Sequence, residues 1–238
     1  MDSLVVPQPS SKCPTSVSQP TRQWSKHSSS FPSRNQADNP SSLGSTILTI
    51  TAGEDERQRT FTIHENLIAS CSTYIKTFIA EHPDTKTINL LSDDPNAFHL
   101  YTQVLYSYSI PSLSLISENA PNHEEYCLLA KLYVLSVTMQ DRVTKNAAID
   151  AMFAKAQGGT DLLSSSEHVW ILYKGTNGPC CARKMLVDFY AAKATTGRIQ
   201  GQEFPMEFMN DLAMSFVAGR SVAFRGLVVK GGVGVYHE

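Results

Sequence analysis

Two adjacent cysteines, Cys180 and Cys181, follow Gly178-Pro179 at what reads as a helix start. A thiol in that position meets the positive end of the helix dipole, which lowers its pKa and favours the thiolate. The sequence places no base beside them, and no Gly-x-Ser-x-Gly elbow occurs elsewhere, so nucleophilic catalysis is not expected. The closest group of metal-ligating types is His64, Cys71, His82 and His99. Only His64 and Cys71 fall near one another on clear elements, and a tight zinc site needs four convergent ligands. Gly231-Gly232-Val233-Gly234 is rich in glycine, but no following helix is expected to offer oriented amides to a phosphate. The acid pairs Asp93-Asp94 and Glu124-Glu125 sit at helix starts, where carboxylates satisfy free backbone amides. Tyr101, Tyr106 and Tyr108 could stack on bases, but no basic groove accompanies them, and core packing accounts for Tyr101 and Tyr108. The expectation is a protein with no catalytic residues, no metal and no cofactor.

Charge and composition narrow the partners. The formal net charge is −2 over 238 residues, with basic side chains scattered rather than clustered. So weak a field holds neither nucleic acid nor an anionic membrane. No run approaches the roughly 18 apolar residues that span a bilayer. Leu4-Val5-Val6 is stopped by Pro7 before the apolar core of an export signal can form. Five cysteines form an odd set without ligand spacing, which fits reduced thiols in the cytoplasm or nucleus. The partner expected is another protein.

The elements that must carry such a contact begin near residue 45. Residues 1–44 are dominated by Ser, Pro, Gln and Asn and predict a disordered tail, with Trp24 and Phe31 isolated in it. Thr46 to Thr51 and Thr60 to Ile63 alternate as strands joined around Gly53, with Phe61 and Ile63 on one face. His64 to Ala69 makes a short helical turn. Ser72 then caps a helix carrying Ile75, Phe78 and Ile79, ended by His82-Pro83. Thr87 to Leu91 is a third strand. Asp94-Pro95 is the clearest helix start in the chain, and Ala97, Phe98, Tyr101, Val104, Leu105 and Tyr108 share one face of the helix it opens. After an irregular connection from Ser109 to Pro121, with a possible short strand at Ser112 to Ile116, Asn122 and Glu125 resemble a capping box. The helix to about Met139 is apolar almost all round and belongs at the centre of a bundle. A further helix, about Arg142 to Ala156, turns Ala148, Ile149, Met152, Phe153 and Ala156 inward and is ended by Gly158-Gly159. Beyond it come a helix capped by Ser165 with Val169, Leu172 and Tyr173, one with Ala182, Met185, Leu186, Phe189 and Tyr190, and one from Met206 with Phe208, Leu212 and Phe216. Residues 219–238 predict a flexible Gly-rich tail.

Several of these stretches are similar to one family. The run from Phe61-Thr62-Ile63-His64 through Leu67-Ile68 to Ser72-Thr73-Tyr74 resembles the BTB/POZ signature: a Phe-x-x-His turn, a Leu-rich helix and a Ser-x-Tyr/Phe element. Ile88-Asn89-Leu90 with Asp93-Asp94-Pro95-x-x-Phe98 resembles that family's third strand and helix start. Leu105-Tyr106-Ser107 is similar to its Leu/Ile-Tyr-Thr step, and Leu129 to Leu135 with Lys145 to Asp150 resembles its closing helix pair. Ser166-Glu167-x-Val169-Trp170 and Arg183-x-x-Leu186-Val187-Asp188-x-Tyr190 resemble the helical extension of fungal BTB proteins.

The resemblance implies an α+β fold: a small three-stranded sheet packed on a helical cluster over residues 45–157, with a helical extension over 158–218. It implies a non-catalytic binding module: a homotypic or heterotypic scaffold of the kind used in transcriptional regulation, or alternatively a substrate adaptor for a cullin-type ubiquitin ligase. Partners implied are a protein, a homodimer mate or a cullin. It also implies that His64 ties the hairpin to the first helix. Two departures stand out. The first strand opens Ser45-Thr46-Ile47 without the Asp of strand-swapped dimers, and Tyr108-Ser109-Ile110-Pro111-Ser112 lacks the acid of cullin binders. The partner surface is expected on the rim between the Asp94 helix and the Ser109–Pro121 loop, near Tyr106 and Ile110.

Overall fold

The computed structural model describes residues 43–110, 122–157 and 162–219. The N-terminal and Gly-rich tails, the Ser112–Ile116 strand and the Gly158-Gly159 terminator lie outside them, as do Trp24 and Phe31. The fold is α+β. Strands β1 (Ile47–Ala52), β2 (Arg59–His64) and β3 (Thr87–Leu90) form one sheet in the order β2-β1-β3. β1 pairs antiparallel with β2, placing Ile50 opposite Phe61, and parallel with β3, placing Ile50 opposite Ile88. A parallel pair needs a crossover. Helices α1 (Glu65–Cys71) and α2 (Thr73–Glu81) provide it. The hairpin turn needs Gly53, whose φ is +87° and where a Cβ would strike the Arg57 carbonyl and the Pro95 ring.

Burial follows strand alternation. Leu48, Ile50 and Ala52 of β1, Ile63 of β2, and Ile88 and Leu90 of β3 are buried. Helix α3 (Pro95–Ser107) starts as its sequence demands. The Asp94 carboxylate accepts from the Asn96 and Ala97 amides, and Pro95 occupies the first turn. Helices α4 (Asn122–Thr138) and α5 (Arg142–Gln157) complete the cluster. The Asn122 side chain lies outside the described residues, and Glu125 pairs with Lys155 of α5.

Two buried polar joints hold these helices. The Ser72 hydroxyl accepts from the Ile75 amide at the head of α2 and donates to the Met139 carbonyl just beyond α4. Asp141 caps α5 by accepting from Val143 and Thr144 amides, and it also accepts from the Thr144 and Tyr101 hydroxyls. It thereby joins α3 to the α4–α5 turn. Asp141→Ala strands two amides and a buried tyrosine hydroxyl, so a loss of about 2–3 kcal/mol is expected in urea unfolding. A midpoint within error of the parent would reject that role.

Helices α6 (Glu167–Gly175), α7 (Cys181–Lys193), α8 (Thr196–Ile199) and α9 (Met206–Gly219) come next. Helix α4 packs on α3 and α5 and also on α6, so one apolar core runs from Leu48 to Leu212. The α4–α6 approach is close: a Cβ on Gly175 would lie 2.4 Å from a Val134 methyl. Three apolar residues read as inward from spacing are exposed instead. Tyr108 is the left-handed C-cap of α3, and Phe153 and Phe216 lie at the edges of α5 and α9. Among the described residues, no helix is long and apolar enough to cross a membrane.

Candidate functional site

The C-terminal end of α3 meets the end of β2. His64 Nδ1 lies 2.8 Å from the Tyr106 hydroxyl, and the His64 amide donates to that same oxygen at 3.3 Å. The expected histidine tie therefore exists, but it runs from the hairpin to α3 rather than to α1. Tyr106 keeps 44% of its surface in solvent despite this anchoring. Tyr108, at φ 55°, turns the chain out of the helix and is 43% exposed. Ile110 is half-buried and packs against the core. Both expected rim residues thus sit at the α3 end, but the exposed part of the rim is aromatic, made by Tyr106 and Tyr108. A charge at Ile110 disturbs core packing as well as any contact, so Tyr106 is the cleaner probe.

The other candidate chemistry does not converge. His99 stacks on Phe61 at 6.3 Å and lies 3.2 Å from the Gln103 amide nitrogen. His82 bonds the Phe78 carbonyl, and Cys71 lies beside Ser70. Among the described residues, no three His, Cys, Asp or Glu side chains are grouped to hold a metal. Asp93 and Asp94 divide. Burial pushes the Asp94 carboxyl up, but Lys131 at 2.8 Å and the two amides outweigh it and hold the group below its usual range. Burial alone raises Asp93 to about 6. The buried Cys127 thiol is raised by burial, and further by its hydrogen bond to Glu167, to about 12, which keeps it inert.

Cys180 and Cys181 do sit at the head of α7, as N-cap and first helical residue. Cys180 hydrogen-bonds the Tyr133 phenol, itself pushed up chiefly by burial. Cys181 lies at the edge of an open groove of about 390 Å³, walled by Phe153, Met185 and Phe189, with Lys184 and Asp188 paired across its rim. Phe153 and Phe189 meet edge to face at 5.5 Å. The groove is mainly apolar and suits contact with an apolar side chain more than bond-making chemistry.

No protein-family model matches the chain, and no curated protein matches it.

Two buried groups went unread in the sequence. Arg183 is 4% exposed. Its guanidinium donates to the Tyr173 and Thr176 carbonyls, the Thr176 hydroxyl and the Glu207 carboxylate, and lies 4.2 Å from the centre of the Tyr173 ring. His168 is fully buried between α4 and α6, 5.7 Å from the Tyr126 ring, and neither ring nitrogen has a hydrogen-bond partner. Burial, with His123 adding to it, lowers its pKa to about 4.

Proposed function

We propose that the chain is a non-catalytic protein-interaction module of the BTB/POZ type, extended by C-terminal helices, that works as a homotypic or heterotypic scaffold. The observation that carries this reading is the aromatic rim at the end of α3. Tyr106 is fixed by His64 yet nearly half exposed, and Tyr108 stands beside it on a left-handed turn. Rigid, amphipathic aromatic side chains lose little entropy on contact and are the usual anchors of protein interfaces. The element order and the stretches similar to that family support the same reading. Its setting is the cytoplasm or nucleus, where thiols such as Cys71 and Cys181 stay reduced.

Proximity labelling with the full chain tests it. Tyr106→Phe loses the His64 bond, which contributes about 1 kcal/mol, but keeps the apolar ring. Tyr106→Glu loses the same bond and places a charge in the rim. The expected result is a set of labelled proteins retained by Tyr106→Phe and depleted at least tenfold in Tyr106→Glu. Equal labelling by both variants sinks the reading.

A further inference from the structure

Helix α9 is apolar on two opposite sides. Phe208 and Leu212 face inward, where Phe208 meets the rings of Tyr173 and Tyr190 at 5.6 and 5.0 Å. The outer side carries Met206, Met209, Ala213, Met214, Phe216 and Val217. Met206 is 74% exposed and Met214 67%. The two acids of the helix lie on its flank and turn to the fold: Glu207 accepts from Arg183 and Asp211 from the Tyr173 hydroxyl, each at 2.7 Å. The outer side is therefore free of charge. A helix apolar all round belongs in an interior, and a continuous apolar surface of this kind marks a contact site.

Spacing identifies the kind of contact. Met206, Met209, Ala213 and Phe216 recur at intervals of three, four and three, the repeat of a helix–helix seam. We propose that α9 packs antiparallel against α9 of a second copy of this chain, about a two-fold axis. Met206 then faces Phe216 of the second copy, and Met209 faces its Ala213. A large residue meets a small one in the central layers, which lets the backbones approach. Met214 and Val217 close the sides, and methionine adapts to irregular surfaces. Antiparallel pairing also sets the positive end of each helix beside the negative end of the other. The outer side offers on the order of 500 Å² per copy, so a pair buries about 1,000 Å², the lower bound of a specific interface. Association is accordingly weak and concentration-dependent. This surface is separate from the aromatic rim of α3 on which the BTB/POZ reading rests, so the inference and that reading fail independently.

Light scattering of the full chain over a dilution series tests it. The mass of the unaltered chain rises from 26.2 kDa toward twice that value with concentration. Met209→Glu and, separately, Phe216→Glu leave the thermal midpoint within a degree or two of the parent, since both sites are exposed, and move half-association to at least tenfold higher concentration. A chain that stays monomeric throughout overturns the proposal. So does a dimer that either correctly folded variant leaves intact, because the mate would then sit elsewhere.

Discussion

Arg183→Met is expected to destabilise the protein by about 3–5 kcal/mol, the largest single effect in the chain. The reason lies in what the guanidinium leaves behind. The Tyr173 and Thr176 carbonyls end α6, where no further turn supplies amides, and both are satisfied by one Arg183 nitrogen. A third bond reaches the Thr176 hydroxyl, which itself donates to the Leu172 carbonyl. The Glu207 arm contributes far less. That carboxylate is 71% exposed, and exposed pairs contribute under about 1 kcal/mol. Glu207→Gln should therefore be nearly silent while Arg183→Met is severe. Arg183→Lys should recover little, because an ammonium offers no planar fork to bridge two carbonyls and a hydroxyl. Urea unfolding followed by far-UV circular dichroism separates the three. Equal losses from Glu207→Gln and Arg183→Met would place the energy in the ion pair and reject this account.

His168→Phe should raise stability at neutral pH and flatten its fall in acid. The folded pKa is lowered from 6.5 to about 4, so the unfolded chain binds more protons in that interval. Stability is then full above pH 6.5 and is lost as pH falls toward 4. The displacement corresponds to about 3 kcal/mol over that range. Phenylalanine keeps a flat ring against Tyr126 and removes two buried nitrogens that lack partners, worth about 1–2 kcal/mol at pH 7. Urea midpoints from pH 4.5 to 7.5 report both effects. Parallel curves for parent and variant would assign the acid response to other groups, of which His123 is the nearest positive one.

The sheet and the helix starts were legible because local rules decide them. The alternation in Ile47–Ala52, the Ser72 cap and Asp94-Pro95 each specify a conformation within a few residues. The failures share a different cause. Tyr108 continues the periodicity of α3, but the helix closes at Ser107 and a non-glycine residue takes the left-handed position where glycine is the usual signal. Phe216 keeps the spacing of Phe208 and Leu212, yet α9 has two apolar sides and spacing does not say which one faces the core. Arg183 and His168 sit on helices as ordinary polar residues would. Their burial is set by α6 ending against α7 and by α4 lying across α6, contacts distant in sequence. The aromatic rim was half legible: the Tyr106 position was marked, but the His64 partner is 42 residues away.

The two-sided seating of α4 bears on how this protein can be divided. With one flank against α3 and α5 and the other against α6, it belongs to both halves at once. A nick or recombination joint between α5 and α6 would yield two pieces with unfinished interiors, each offering the other its missing wall. Such halves are suited to reassembly as a split pair, and neither is suited to being transplanted alone.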